Sequence, residues 1–400
     1  VAYNHNLHCL LHEKPFNGVN GSGKHNNWSL VTDDGINLLD PGKNPHGNLQ
    51  FLLVLTCILK AVDKHAELLR ESAADTGNDH RLGADEAPPA IISAYLGSQL
   101  EDILAQFIDK GEAEHSLKGE KLHTGVSTLP DFRKDATDRN RTSPFAFTGN
   151  KFEFRMVGSK DSGGEPNTVL NTIVAEAFCE ACDYIEAAED KDMAIHDLIE
   201  RYFMEHERIV FDGNGYSDEW VAEAAKRGLP NLKTMVDAIP ALTTEKAVAL
   251  FEKFGVFTRA ELESRAEIQY ETYAKVINIE AKSMIDIASK QLIPAVIKYT
   301  KELADTVIAV KACGVDASVQ EEILRKTTVL LGEARTALSK LTELDAQGAK
   351  LERGEKQAKF FNKEVVPAME ALRKPIDKLE MIVEKDMWPM PSYGDLIFEV

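Results

Sequence analysis

The stretch "GVNGSGKHNNWS", Gly18 to Ser29, decides how the first half of this chain folds. Its opening seven residues fit a phosphate-binding P-loop, G-x-x-x-x-G-K, but the next position, which needs Ser or Thr to hold Mg²⁺, is His25. A P-loop also requires a helix after the lysine, so that the phosphates meet the helix N-terminus. Here the chain continues His-Asn-Asn-Trp-Ser-Leu-Val-Thr, which alternates with a period of two and carries Trp28, Leu30 and Thr32 as β-formers. The spacing predicts a strand, and the P-loop reading fails.

A strand places His25, Asn27 and Ser29 on one face and Asn26, Trp28 and Leu30 on the other. His25 is then a candidate metal ligand, and Asn20-Gly21-Ser22-Gly23 exposes backbone N–H groups to an anionic ligand. A Gly-rich hairpin with a hydrogen-bonded histidine fits the same spacing. The second informative stretch is "TGNKFEFRMV", residues 148–157, where Phe152 and Phe154 suit a core and Lys151, Glu153 and Arg155 take the other face. That trio is either a cross-strand ion-pair pattern or a place for Mg²⁺ on Glu153 and anionic oxygens on Lys151 and Arg155. "DRNRTSPF" puts Arg139 and Arg141 in a loop, as solvated cations or as phosphate clamps. "NDHRLGADEAPP" puts Arg81 and Glu86 in a loop punctuated by Gly and Pro, a surface feature by default.

Four hundred residues, 44% hydrophobic and 28% charged, describe a globular chain of two or three domains. The formal charge of −19 argues against nucleic acid or an anionic membrane as partner. Five scattered cysteines point to a reducing compartment, and Cys179-x-x-Cys182 reads as two small helix-packing residues. The apolar run Phe51–Leu59 is far shorter than the ~20 residues that a membrane span needs.

Two regimes follow one another. Residues 1–230 mix strands ("HNLHCLL", "KHNNWSLVT", "KFEFRMV"), loops and a few helices, with a long buried helix over 48–72 and another opening at Pro166. Residues 231–400 are nearly all helical. There "SVQEEILRK" offers a capping box, Ser318 with Glu321, and Val365, Met369, Leu372, Ile376 and Leu379 form a coiled-coil-like stripe that Pro375 should bend.

Taken in order, "KPFNGVNGSGKHNNWSL", "NDHRLGADEAPPAIISAYLG", "DRNRTSPFAFTGNKFEFR" and the ending "MWPMPSYGDLIFEV" resemble the glutamine synthetase catalytic domain, in its long bacterial type III form. The resemblance implies an α+β fold: part of that catalytic domain, a curved antiparallel sheet flanked by helices, then a helical C-terminal region. It also implies roles for the residues above. Asn20 and Gly21 fall on the glutamate-binding pair, His25 and Glu153 on metal ligands, and Asn27, Ser29, Arg141 and Lys151 on ATP contacts. Arg81 and Arg155 fall on substrate arginines, though Arg81 stands one residue nearer Glu86 than the family pattern has it. Glu86, Arg141 and Arg155 carry the implied catalysis, Glu86 as the flap residue. A second arginine carried by many relatives would land on Ala146.

The implied activity is ATP-dependent ligation of ammonia to L-glutamate through γ-glutamyl phosphate, releasing ADP and phosphate, with Mg²⁺ or Mn²⁺. The implied setting is cytoplasmic, in a ring-based homo-oligomer of twelve subunits, with no nucleic acid and no membrane. Because the family's other metal-binding glutamates lie upstream of Val1, the resemblance also implies that these residues are the C-terminal part of a longer polypeptide, inactive alone. A ligase for another amine and a non-catalytic helical scaffold are the competing readings.

Overall fold

Among the described residues six strands form, β1 (Gly23–Trp28), β2 (Ala94–Tyr95), β3 (Lys121–Leu122), β4 (Phe132–Arg133), β5 (Phe145–Phe147) and β6 (Phe152–Gly158). This computed structural model describes residues 1–400 except 8, 10, 11, 17, 84, 111, 112, 114–120, 123–131, 134–141 and 398–400. His12–Ser264 makes one compact unit, and Val1–Leu11 with Arg265–Val400 makes another.

The main sheet runs β1-β6-β5-β2, with β3 and β4 paired separately. It is mixed rather than wholly antiparallel, since β2 pairs β5 in parallel while β1–β6 and β5–β6 are antiparallel. The expected alternation holds on β1. Asn26 and Trp28 turn to the helix α5 (Gly164–Ala187), where Asn167 and Asn171, one turn apart, accept from them at 2.8 and 2.9 Å. On the same face Phe152 stacks on Phe145 at 4.4 Å and meets Phe147 edge-on at 5.4 Å. Phe147 in turn lies 5.8 Å from Phe51 in α1 (Leu49–Lys64). On β6 both faces are buried, Glu153 and Arg155 included.

The buried helix expected over 48–72 is two. α1 starts where the Asn48 side chain accepts from Phe51 N–H (3.1 Å) and breaks at His65, and α2 spans Ala66–Glu71. The break turns the buried His65 ring to α5, where its Nε2 meets Glu176 at 2.7 Å. Burial, outweighing Glu176, lowers the His65 pKa. Around it Lys64 bridges Glu176 (2.9 Å) and Glu180 (3.1 Å). Asp63 joins His206 (2.7 Å) at the end of α6 (Lys191–His206), and α3 (Thr76–Asp79) and α4 (Ser98–Lys110) lie between α2 and α5 in the chain. α7 (Asp218–Lys226), α8 (Met235–Ala238) and α9 (Glu245–Lys253) complete this unit's short helices. Cys179 and Cys182 are exposed on α5, and Ala181 between them does the packing.

From α10 (Arg259–Ile287) onward the chain is helical, through α11 (Ile293–Ala312), α12 (Ser318–Gly348), α13 (Glu355–Phe360), α14 (Val366–Glu380) and the short α15 (Tyr393–Ile397). Single π-helical turns, Ala288–Leu292 and Phe361–Val365, precede α11 and α14. Each ends two residues ahead of a proline at the helix start, Pro294 and Pro367, whose ring would clash with the carbonyl four residues back in an ordinary turn. The α14 stripe buries Val365, Leu372, Ile376 and Leu379, and the helix continues through Pro375.

Three further sequence readings need correction. The capping box at Ser318 and Glu321 does not form: Ala317 is the N-cap, Asp316 takes the Ser318 N–H (3.2 Å) and hydroxyl (2.6 Å), and Glu321 pairs with Lys311. A reciprocal box does cap the start of α10, where Glu261 accepts from Thr258 N–H (2.8 Å) and donates its own N–H to the Thr258 hydroxyl (3.4 Å). α5 starts at Gly164, two residues before Pro166. The "HNLHCLL" strand is absent among the described residues, where Ala2–His5 forms a 3₁₀ turn and Leu7 an isolated bridge. No described helix is long and apolar enough to cross a membrane.

Candidate active site

The site face of the sheet is built around an irregularity. β1 and β6 pair in register from Trp28↔Phe152 to Asn26↔Phe154, then slip, so that Lys24 pairs Val157. The slip leaves Arg155 and Met156 together opposite His25, a β-bulge. His25 stays on the face of Asn27 and Glu153, and its Nδ1 lies 3.6 Å from Glu153 Oε2. The imidazole is 55% exposed, while the Glu153 side chain is 7% exposed. Arg155 donates to the same carboxylate oxygen from Nε (3.2 Å) and a terminal nitrogen (3.1 Å). The group thus has a nearly dry carboxylate, charge-balanced on one side and open to an imidazole on the other. Ala146, where the resemblance would have placed a second arginine, pairs directly with Glu153 across β5–β6.

Arg81 holds the bulge in place. It is 5% exposed, and its guanidinium donates to the carbonyls of Arg155 (3.1 Å), Met156 (3.3 Å) and Val157 (3.4 Å) and to Asn78 Oδ1 (3.0 Å). Burial lowers its pKa, with Glu13 pulling the other way. The Gly-rich loop lies over this side chain. A Cβ on Gly23 would fall 2.1 Å from an Arg81 terminal nitrogen, and one on Gly21 2.6 Å from the Glu13 carbonyl oxygen. Those glycines serve close packing over an arginine.

Two contacts tie the loop to the segment bearing Glu86. Lys14 pairs with Asp85 at 2.5 Å, and Asn20 donates to Glu86 Oε2 at 2.9 Å. Asp85 and Glu86 both adopt positive φ, 51° and 65°, which costs a non-glycine residue roughly 1 kcal/mol or more. Farther along β1, Asn27 donates to the His25 carbonyl (3.1 Å). Ser29 donates to Asn37 Oδ1 (2.8 Å) and the Asn150 carbonyl (3.2 Å), beside half-buried Lys151. The structure therefore brings His25, Glu153 and Arg155 together, and Asn20 with Glu86. It sets Arg81 beneath them, facing main chain. Arg141 lies outside the described residues.

Sequence reading missed Glu13, Asn37 and Tyr216. Glu13 is fully buried, and its carboxylate accepts from Ser159 Oγ (3.1 Å) and Lys160 N–H (3.2 Å). Its pKa is lowered: burial pushes up, but hydrogen bonds and Lys160 prevail. Its signal was weak, a single acid in an otherwise unreadable entry segment. Close by, Asp161 accepts from Gly158 N–H (3.1 Å), and its carbonyl takes the Lys24 ammonium. Burial foremost, then Asp75, push the Asp161 carboxyl up to about 6.

That shift has a sign. Between about pH 4 and pH 6 the folded chain holds a proton on Asp161 that the unfolded chain has released, so stability falls as pH rises through this window. Asp161→Asn keeps the acceptor for Gly158 and removes the charge. It is expected to raise stability at pH 8 by about 1 kcal/mol, after allowance for partial exposure, and to flatten the loss between pH 4 and 6. Thermal melts across pH check this, and an unchanged slope would refute it.

The chain's relatives fit this arrangement. Residues 194–311 match the family model "Glutamine synthetase C-terminal domain". Over its whole length the chain is 43% identical to the "Type-3 glutamine synthetase" of Dictyostelium discoideum, covering 55% of that protein. It is 41% identical to a glutamine synthetase of Butyrivibrio fibrisolvens and 37% to one of Bacteroides fragilis, covering 57% and 56% of them. The chain spans about half the length of the curated relatives it matches. Over all of its residues the chain is thus similar to three glutamine synthetases, and residues 194–311 match that family's C-terminal domain.

Proposed function

We propose that the polypeptide containing this chain joins ammonia to L-glutamate at the expense of ATP, giving L-glutamine, ADP and phosphate. One observation carries the reading: the half-exposed imidazole of His25 and the buried carboxylate of Glu153 approach within 3.6 Å, with Arg155 on the same carboxylate. The carboxylate suits Mg²⁺ or Mn²⁺, and an imidazole beside it is better accepted by the softer Mn²⁺. Among the described residues no third His, Cys, Asp or Glu joins them, so further ligands come from substrate, water or residues outside that set. When bound, the metal offsets phosphate charge during phosphoryl transfer.

This chain's own residues do the rest. Arg155 and Arg141 neutralise charge on the transferring phosphoryl group, and Lys151, Asn27 and Ser29 line the nucleotide side. A carboxylate is a poor electrophile, so it is first phosphorylated to γ-glutamyl phosphate. Asn20, Gly21 and Arg81 shape the amino-acid side, Arg81 through the strand it holds. Glu86, in its strained turn against Asn20, covers the acyl phosphate against water and accepts the proton that ammonium loses. We further infer a cytoplasmic, ring-based homo-oligomer of twelve subunits.

The test is glutamine formation by the full polypeptide with Mg²⁺, ATP, L-glutamate and ammonia. Turnover dependent on all four supports the reading. Absence of turnover, with Mg-ATP binding also absent, overturns it.

A further inference from the structure

The segment Phe211–Trp220, "FDGNGYSDEW", leaves the edge of the main sheet at β2 and is fastened at both ends. The Phe211 ring stacks on Trp220 at 3.7 Å, and Phe211 N–H donates to the Ala94 carbonyl at 2.9 Å. Ser217 caps α7 by accepting from Trp220 N–H at 3.1 Å. Between these anchors Asn214 Oδ1 accepts from Tyr216 N–H (3.1 Å), closing an Asx turn. Gly215 N–H donates to Thr142 Oγ1 (2.9 Å), and that hydroxyl donates to the Gly213 carbonyl (3.1 Å). Gly215 fits so closely that a Cβ there would lie 3.1 Å from the Thr142 carbonyl oxygen and 3.3 Å from Pro89. Thr142 follows Arg141, and Pro89 stands three residues after Glu86. The loop is therefore built against the two segments that border the site.

What it carries there is a phenol. The Tyr216 Oη is sealed from solvent and has no hydrogen-bond partner among the described residues. Buried hydroxyls are almost always paired, so this one marks a place where a partner belongs. Burial foremost, then the Glu86 charge, push the phenol pKa up, while Arg81 and Arg155 pull it down and Asp85 pushes it further up. The net rise keeps Tyr216 a neutral donor at neutral pH. Among the described residues, the charges that act on it are two guanidiniums and two carboxylates. A single carboxylate oxygen, accepting from the phenol and lying beside Arg155, fits it.

We propose that Tyr216 is a substrate-contacting residue whose Oη–H donates to a carboxylate oxygen of the amino-acid substrate beside Arg155 and Glu86. The identity of that substrate as L-glutamate rests on the ligase reading above. Tyr216→Phe in the full polypeptide removes the hydroxyl and keeps the ring. The expected result is L-glutamate binding weakened about tenfold to a hundredfold, the usual worth of a hydrogen bond to a charged group. KM for glutamate should rise in step, with Mg-ATP affinity and Tm unchanged. Equal glutamate affinity in the variant and the parent would overturn the proposal. So would a variant that loses Tm and Mg-ATP affinity together, because the hydroxyl would then be structural. Calorimetry with L-glutamate separates this from the wider reading: a parent that makes no glutamine yet binds glutamate through Tyr216 sinks the ligase reading alone. A parent that binds no glutamate sinks both.

Discussion

Glu153→Gln is expected to lower kcat for glutamine formation by about 10²- to 10³-fold, the loss typical when one preorganised charge is removed from a reaction centre. The amide still offers an oxygen to Arg155, so the strand keeps its shape. What disappears is the negative charge that faces both the His25 imidazole and the Arg155 guanidinium. With 7% and 4% exposure, the Glu153 and Arg155 side chains are nearly dry, and an uncompensated guanidinium there also lowers stability, by up to about 3 kcal/mol. Glu153→Asp keeps the charge on a shorter arm and should recover stability more fully than rate. Steady-state assays at saturating Mg-ATP, with thermal melts alongside, separate the two effects. A Glu153→Gln enzyme within threefold of the parent in kcat would show that the carboxylate is an ordinary cross-strand partner.

Gly23→Ala is expected to be the most damaging single methyl in the chain. The added Cβ would lie 2.1 Å from an Arg81 terminal nitrogen and 2.2 Å from its Cζ. A long side chain normally swings away from such a clash cheaply. Arg81 cannot, because it is buried and moving it breaks hydrogen bonds to Asn78 and to three carbonyls of the bulge. Losing charge-assisted bonds in a buried setting puts the cost at about 3–5 kcal/mol, or a fall in Tm of roughly 10 °C for a unit of this size. The same displacement frees the bulge that sets Arg155 opposite His25, so activity should fall with stability. Arg81→Lys, which keeps the charge but not the fork, should fall less in Tm. A Gly23→Ala protein melting within 2 °C of the parent would contradict this account of the loop.

The sequence carried the local parts of this architecture and withheld the parts set by distant chain. Period two on His25–Ser29 and Lys151–Val157 marked both strands and the faces of His25, Asn27, Phe152 and Phe154, because alternation is local. The bulge opposite His25 left no trace in either strand, since the residue that holds it, Arg81, comes from a loop some seventy residues before β6. For the same reason Arg81 read as an arginine facing substrate, whereas its guanidinium faces main-chain carbonyls. The polar face expected of β6 is buried because that face is covered where Glu153 and Arg155 satisfy each other. The helix break at His65 was hidden by continuous helical propensity over 48–72, and it follows from the ring's contact with Glu176. Ser318 matched a capping-box pattern, but Asp316 competes for the same donors and wins.

In the proposed enzyme two remote β-segments present one imidazole and one carboxylate, His25 and Glu153, to a shared divalent cation. Mn²⁺ titration followed by electron paramagnetic resonance, on the full polypeptide and its His25→Ala variant, tests it most directly. His25 is half exposed, so the substitution should leave folding intact. The account predicts at least a tenfold loss of Mn²⁺ affinity at one site, repeated by Glu153→Gln. Equal Mn²⁺ affinity in the parent and both variants would contradict it.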